Sequence, residues 1–464
     1  MTQRRTYLLL ALAAAAITAA IVGYNVWLDR DIKSKMYVPK PATITPEVVL
    51  LRTYVTIDTT NPPGNELAGA RYLASVLARE GVKAEVIESA PGRGNVYARI
   101  KGRTSGQGLL LLHHIDVVPA NAKEWTQPPF GGKVQFEMLY GRGTLDMKGI
   151  GICHLAAFLD VARSHHTPER DIIFLGVADE ESGGSMGMAW LLAHRPELFD
   201  GVRYALNEGG ITETLEQKLT YFGVEIGSKM TMTVRVRAGT REALEQARIA
   251  LEPWIVPQQP ERVLPEVKEF FHDLAPVRTE QRAWLDDVDK TVAEGKFWLL
   301  SRPYRELTQN VVWPQAVRQD GSGFTMDVLM FNLPDELPPN RVAWLTKLVA
   351  PFGVTIDEVT RTAGPAPISS RHTPLFALIT REVHAVHGDI RVGAEILAAA
   401  FNDSRFLRAR GIDCYGMWPF AVDFFQTQGI HSVDERIRID WFQSGVELTK
   451  RIVRAYAFEP LPAG

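Results

Sequence analysis

Cysteine is almost absent from this sequence: Cys153 and Cys414 are the only two in 464 residues. A pair so widely spaced makes no disulfide framework and fits no zinc-finger spacing, which leaves a single bridge at most. Positive charge is not in surplus either. The 51 Lys and Arg stand against 54 Asp and Glu, a formal net charge of −3, and without a basic block the chain lacks the electrostatic footprint of a nucleic-acid binder. Internal repeats and low-complexity tracts are missing. So are apolar runs long enough to cross a bilayer, except in one place. After the two arginines of MTQRR, Tyr7–Leu28 holds no charged residue. At ~1.5 Å per residue, a helix of that length spans a ~30 Å hydrocarbon layer. Arginines before it and Asp29 after it favour an N-terminus in the cytoplasm and the rest of the chain outside. Residues 1–30 are therefore expected to form a membrane anchor or a signal segment. The remainder would be membrane-anchored and periplasmic or lumenal, or secreted if the segment is cleaved.

What is present is an ordinary globular balance, 46% hydrophobic and 23% charged. The length is too great for one ordinary core, so two domains are expected. ELAGARYLASVLAREG reads as an amphipathic helix closed by Gly81, and KAEVIES and NVYARIKG read as strands. GLLLLHH, RDIIFLGVA and VRYALN are short apolar runs, separated by helical patterns such as KGIGICHLAAFLDVARSHH. Such alternation predicts an α/β layer structure with a mostly parallel central sheet flanked by helices. From about Glu225 the texture changes. KMTMTVRVRAG and FTMDVLMFNLP alternate like strands with one wet face, and each precedes an amphipathic helix. This predicts a smaller α+β unit inserted into the first domain. The expected division is 45–222 and 367–464 for the catalytic domain and 223–366 for an inserted lid. The stretch Pro257–Arg305 takes no assignment from its pattern.

Each early apolar strand runs into acidic residues or histidine. LLLLHH leads to His114 and Asp116, IIFLGVA to Asp179, Glu180 and Glu181, and RYAL to Asn207 and Glu208. YGRGTLDMKG places Asp146 in a glycine-bracketed loop before a helix. Any one of these has a plain structural explanation, such as a surface pair or a helix cap. Together they point elsewhere, because open α/β sheets gather ligands beyond the carboxyl ends of their strands. Several carboxylates at one edge repel one another unless cations neutralise them. Imidazole with carboxylate suits zinc, and manganese or cobalt also fits.

At this point the chain resembles the di-zinc metallopeptidases that include aminoacylase-1, carboxypeptidase S, glutamate carboxypeptidase and succinyl-diaminopimelate desuccinylase. The matching pieces are NPPGNE, HIDVVP, WTQPPFGG, YGRGTLDMKG, ADEESGG, LNEGG, NDSRFLRARGI and GIHSVDERI, in the family's order. NDSR and HSVDER lean toward the carboxypeptidase S branch. The resemblance implies two zinc ions, with His114 and Glu208 on one, Glu181 and His431 on the other, and Asp146 bridging both. It implies that Asp116 holds the His114 imidazole, that Glu180 is the general base and that Arg405 meets a substrate carboxylate. His113 stands where relatives carry a small residue and reads as a neighbour, not a ligand.

The inserted unit departs from the family pattern. Relatives carry a histidine soon after its first strand, and here VRVRAGTREALEQ keeps Gly239 but has no histidine. Relatives also place an arginine three residues before a proline, and MFNLPDE has Phe331 there. His272, His372, His384 and His387 are the distant histidines left to consider. The resemblance implies hydrolysis of an amide bond in a small peptide or N-acyl amino acid, by a water activated between two metals. A metal-stabilised binding protein with lost or altered catalysis is the alternative that the altered lid raises. A homodimer through the lid is what relatives form, and the absent histidine removes one reason to expect it.

Overall fold

The computed structural model describes residues 42–462 other than 216–217, 256–259, 362–366, 398–400 and 423–428. The expected membrane segment, Tyr7–Leu28, lies outside them. Among the described residues no helix is long and apolar enough to cross a membrane. The longest, Ile439–Phe458, carries Asp440, Glu447, Lys450, Arg451 and Arg454 along its length. This overturns the expected membrane-anchored, non-cytoplasmic placement, and with it the expected membrane partner. Cys153 and Cys414 are both free and buried, so they form no bridge.

The main sheet has nine strands. Its path runs Ala84–Ala90 (β1), Arg93–Ile100 (β2), Arg170–Val177 (β6), Thr104–His114 (β3), Val202–Asn207 (β7), Asp413–Gly416 (β16), Lys218–Ser228 (β9) and Arg391–Leu397 (β15). Thr212–Leu215 (β8) pairs with β9. The centre, β6–β3–β7–β16, is parallel. Its strands are the continuous apolar runs that burial on both faces requires. The helix Lys148–Arg163, buried almost all round, packs on β3 and β6 and is backed by Ile439–Phe458. The sheet as a whole is mixed, a correction to the mostly parallel one expected. β1–β2, β2–β6, β16–β9 and β8–β9 are antiparallel. Only Pro91 and Gly92 link β1 to β2, and so short a link permits only an antiparallel pair.

Five further strands form a separate antiparallel sheet: Met230–Ala238 (β10), Val311–Pro314 (β11), Arg318–Asp320 (β12), Gly323–Asn332 (β13) and Thr355–Arg361 (β14). Alternation sends Met232, Val234 and Val236, with their partners Met330, Val328 and Met326, to one face. There they join Leu244, Leu251, Leu345 and Val349 from the helices Arg241–Leu251 and Pro338–Val349. Within the stretch that took no assignment, the helices Pro265–Leu274, Arg282–Leu285 and Val288–Ala293 bury Phe271 and Leu285 with Tyr221 of β9 and Ile396 of β15, against the main sheet. A third sheet joins Lys133–Gln135 (β4), Met138–Tyr140 (β5) and Arg436–Arg438 (β17).

Because the central strands are parallel, their carboxyl ends share one edge. β3 ends at His114, β6 ends just before Asp179–Glu181, and β7 ends just before Glu208. β3 lies between the other two. Neighbours in a strand face opposite sides, so His113 turns away from His114 into the core. Its ring lies 5.2 Å from that of Phe174 and 6.4 Å from that of Tyr54. A Cβ at Gly151 would stand 2.5 Å from the same ring, so glycine there makes the room. Burial pulls the pKa of His113 down.

One buried ion pair ties the far side of this edge together. Arg408 donates to both oxygens of Glu225 in β9, at 2.7 and 2.7 Å, and also to the Cys414 carbonyl. Both side chains are shielded from water. Removing one partner strands a buried charge, which costs ~3–5 kcal/mol. Glu225→Ala is therefore expected to lower the unfolding free energy by about that amount in urea denaturation. A loss below ~1 kcal/mol would show that the pair is not holding this part of the fold.

Candidate metal centre

The β3–β6–β7 edge brings the predicted side chains together. His114 is buried, and its Nε2 lies 3.0 Å from Asp146 Oδ1 and 3.7 Å from Glu208 Oε1. His431 Nε2 lies 3.0 Å from Asp146 Oδ2 and 3.2 Å from Glu181 Oε2. The two oxygens of Asp146 thus face different imidazoles. In two groups, His114–Glu180–Glu208 and His114–Asp146–Glu181, one ligand atom from each residue lies within 4.8 Å of the others. The His431 side chain is 51% exposed, so the cluster opens to solvent on that side.

Local backbone explains how these groups arrive. Asp179 takes a left-handed conformation at φ 72° before the Glu180–Ser182 turn, a strained choice for a residue other than glycine. Its carboxylate compensates by accepting from Asn61, Arg93, Ser185 and the Met186 N–H. His431 is also left-handed, at φ 59°. Gly210 after Glu208 has φ 77°, and a Cβ there would stand 2.2 Å from the Gly223 carbonyl oxygen. Only glycine lets that turn lie so close to β9.

Two residues make contacts beyond those expected of them. The His114 Nδ1 lies 2.9 Å from the main-chain oxygen of Asp116 and 3.6 Å from its Oδ1. The carboxylate of Asp116 instead accepts the Glu180 and Glu181 N–H groups, at 3.1 and 3.1 Å, and the Asn61 amide at 2.8 Å. Asp116 therefore holds the loop of the two glutamates as well as the histidine. Arg405 is buried, with Phe401 and Phe406 rings against its guanidinium. It donates to the Asn402 and Gly183 carbonyls and lies 3.7 Å from Glu180 Oε1. Those bonds give its charge a task in the turn after Glu180, while its buried Nε has no hydrogen-bond partner. Asn402 donates to the Glu208 carbonyl, so 402–405 touches both carboxylate-bearing loops.

Several residues of the site were invisible as such in the sequence. Asn61 bridges Asp116 and Asp179, and Glu435 holds the Asp146 turn. Both lie in motifs noted above, NPPGNE and HSVDERI, and that placement was the only signal. The distant histidines are occupied elsewhere: His272 pairs with Asp286, His384 with the Ile390 carbonyl, and His387 lies against Phe222. His372 is exposed.

The charges of the cluster are strongly coupled. Burial, then the Asp146 charge, pushes Glu208 up to about 8. Burial and the Glu208 charge push Glu180 well up, and burial and the Asp146 charge push Glu181 up. Hydrogen bonds to Asp146 and then Glu181 raise His431 to about 10. Asp146 is itself held far below the usual range, its burial outweighed by hydrogen bonds from His114 and His431. Protons thus supply the positive charge this crowding demands. Divalent cations would supply it better, and the donor set of imidazole and carboxylate suits zinc, manganese or cobalt. The buried Glu180 Oε1 and Glu181 Oε1 have no hydrogen-bond partner, as acceptors left for a cation or a substrate proton would.

Peptidase family M20/M25/M40 matches residues 110–455. Aminoacylase-1A of Rattus norvegicus is 34% identical over 431 residues, 91% of this chain and 98% of the rat protein. An M20 family metallo-carboxypeptidase from Sulfolobus solfataricus, Sso-CP2, superposes with a TM-score of 0.68 at 18% identity, over 89% of this chain and 99% of that one. A Bacillus subtilis protein described as a dinuclear metal binding peptidase of the M20 family superposes with a TM-score of 0.56 at 12% identity, over 88% and 96% of the two chains. At such identities the two structures speak for the fold.

Cation binding here must displace protons from groups whose pKa values lie near or above neutrality, Glu208 at about 8 and His431 at about 10. Falling pH therefore opposes binding, by about tenfold per pH unit for each proton displaced. Zinc titrations at pH 6 and pH 8 are expected to show weaker uptake at pH 6, with protons released into the buffer. Equal affinity at both values would show that these side chains are not the ligands.

Proposed function

The chain belongs to peptidase family M20/M25/M40, and on that footing we propose that it is a metal-dependent hydrolase of an amide bond in a small peptide or N-acyl amino acid, working with two zinc ions. The observation that carries the reading is the pair of contacts made by Asp146, one oxygen toward His114 and the other toward His431. Only a carboxylate offers two oxygens that can serve two cations. In this reading His114, Asp146 and Glu208 hold one ion, and Asp146, Glu181 and His431 hold the other. When bound, such a pair activates a water and polarises the scissile carbonyl.

The chain's own groups do the rest. Glu180 is the general base: it takes the proton of the attacking water and returns it to the leaving amine. Its raised pKa suits a group that must both accept and release a proton near neutral pH. Asp116 fixes the backbone of Glu180 and Glu181, and Arg405 fixes the turn that follows. The division into a catalytic part, 45–222 and 367–464, and an inserted lid, 223–366, belongs to the same proposal. The separate hydrogen-bonding of β10 to β14 supports the lid as a unit, but its start falls after 228, because residues 223–228 lie in β9 of the main sheet, against which the helices between 265 and 293 also pack.

The binding-protein alternative is not favoured. In this reading Glu180, whose Oε1 accepts no hydrogen bond, is the proton acceptor that hydrolysis needs and mere binding does not. Assay of the zinc-loaded chain against dipeptides and N-acyl amino acids is expected to show turnover. Glu180→Gln should retain the metal and lose ~10²–10⁴-fold in kcat. Full activity in that variant would remove Glu180 from the mechanism, and no turnover on any substrate, with metal bound, would return the alternative.

A further inference from the structure

Asp146 and His431 are far apart in sequence and meet across one short stretch of chain. The antiparallel pairing of β17 with β5 sets Arg436 opposite Tyr140. It brings the residue just before β17, Glu435, against the turn that leads from β5 to Asp146, and the Gly141 N–H donates to the Glu435 main-chain oxygen at 2.9 Å. The Glu435 side chain is fully shielded from water. One oxygen accepts from Arg142 Nη1 at 2.7 Å and from the Gly143 N–H at 3.0 Å. The other accepts from the Leu145 N–H at 2.8 Å and from the Asp146 N–H at 3.2 Å.

We propose that Glu435 is a positioning residue that locks the backbone turn carrying Asp146 to the segment carrying His431, and so sets the distance between two ligands of one cation. The inference rests on the metal reading above. A simple structural ion pair would need only Arg142. Here three of the four donors are main-chain N–H groups of the turn, one of them the amide of Asp146 itself. Buried amides of this kind must find an acceptor, and no neutral side chain offers two oxygens to four donors. A glutamine at 435 would keep one oxygen and turn an NH₂ group toward two donors. The turn would then relax where Asp146 begins, while the donors of the first ion on β3 and after β7 stay in place. Groups that orient metal ligands in this way are worth ~10–100-fold in metal affinity.

The test compares the full chain with its Glu435→Gln and Glu435→Asp variants, using Co²⁺ as the probe. Stoichiometry and affinity come from titration, ligand geometry from the visible absorption of bound cobalt, and folding from the melting temperature of the metal-free protein. The expected result is a folded Gln variant in which one of two cobalt ions binds ~10–100-fold more weakly, with an altered absorption band, and the other ion is affected less. The Asp variant, shorter by one methylene, should fall between. A merely structural role would lower the melting temperature and leave the cobalt spectrum and the ratio of the two affinities as in the parent chain, and that outcome overturns the proposal. If the Gln variant does not fold, parent-like affinities and spectrum in the Asp variant overturn it. A parent chain that takes up fewer than two ions overturns the metal reading and this inference with it, whereas two ions bound equally well by parent and variants overturn this inference alone.

Discussion

Everything at this site follows from the crowding of acidic groups at the carboxyl ends of three parallel strands. Glu180, Glu181 and Glu208 stand near Asp146 and His114, within a few ångströms and largely out of water. Two like charges at ~4 Å repel by about 1 kcal/mol in water, and several times more where water is excluded. No fold gathers them without a source of positive charge. The raised values at Glu208 and His431 are the protonic answer to that demand, and divalent cations are the chemical one. The rest of the domain is arranged so that the demand can be met in one geometry.

That arrangement uses more acid, not less. Asp116, Asp179, Glu395 and Glu435 are all buried, and each accepts a main-chain N–H from a loop of the site. Asp116 takes Glu180 and Glu181, and Asp179 takes Met186. Glu395 takes Ile211, and Glu435 takes Gly143, Leu145 and Asp146. Each loop leaves a strand with N–H groups that cannot reach water, and a carboxyl group offers oxygens to accept them. Arg93 and Arg142 supply part of the opposing charge from the side away from the cluster. A ligand set held by backbone is stiff in a way that one held by side-chain rotamers is not.

The edge of the sheet was readable because its logic is local. An apolar run that stops at His114, at Glu180 or at Glu208 shows both the strand and what it delivers. The inserted sheet was readable for the same reason, since KMTMTVRVRAG alternates with the period that Met232, Val234 and Val236 obey. What escaped was non-local. The antiparallel pairing of β2 with β6 and of β16 with β9 leaves no mark in either strand. Asn61 reaches Asp116 across 55 positions, and Glu435 reaches Leu145 across 290. The setting of Arg405 was equally hidden, since nothing near it in the sequence shows that the rings of Phe401 and Phe406 lie against its guanidinium or that it donates to the Gly183 carbonyl. Tyr7–Leu28 lies outside the described residues, among which no helix is long and apolar enough to cross a membrane.

The departures within the proposed lid decide between turnover and mere binding only when magnitudes are attached. Where relatives have a histidine, this chain runs from β10 directly into a helix whose cap is Thr240, its oxygen accepting the Ala243 N–H. Where they have an arginine, Phe331 lies with its ring 4.6 Å from that of Trp313. Loss of one donor to a developing oxyanion removes ~3–4 kcal/mol, or ~10²–10³ in rate. A general base contributes ~10²–10⁴, and the chemistry of a metal pair adds to that. The groups retained at the sheet edge therefore outweigh the one donor lost. An aromatic pair in place of a guanidinium also offers no partner to a carboxylate, and Phe331 is itself buried. Weakened oxyanion contact and altered recognition are changes of rate and of preference. Neither touches Glu180 or the two faces of Asp146, on which the proposed hydrolysis depends.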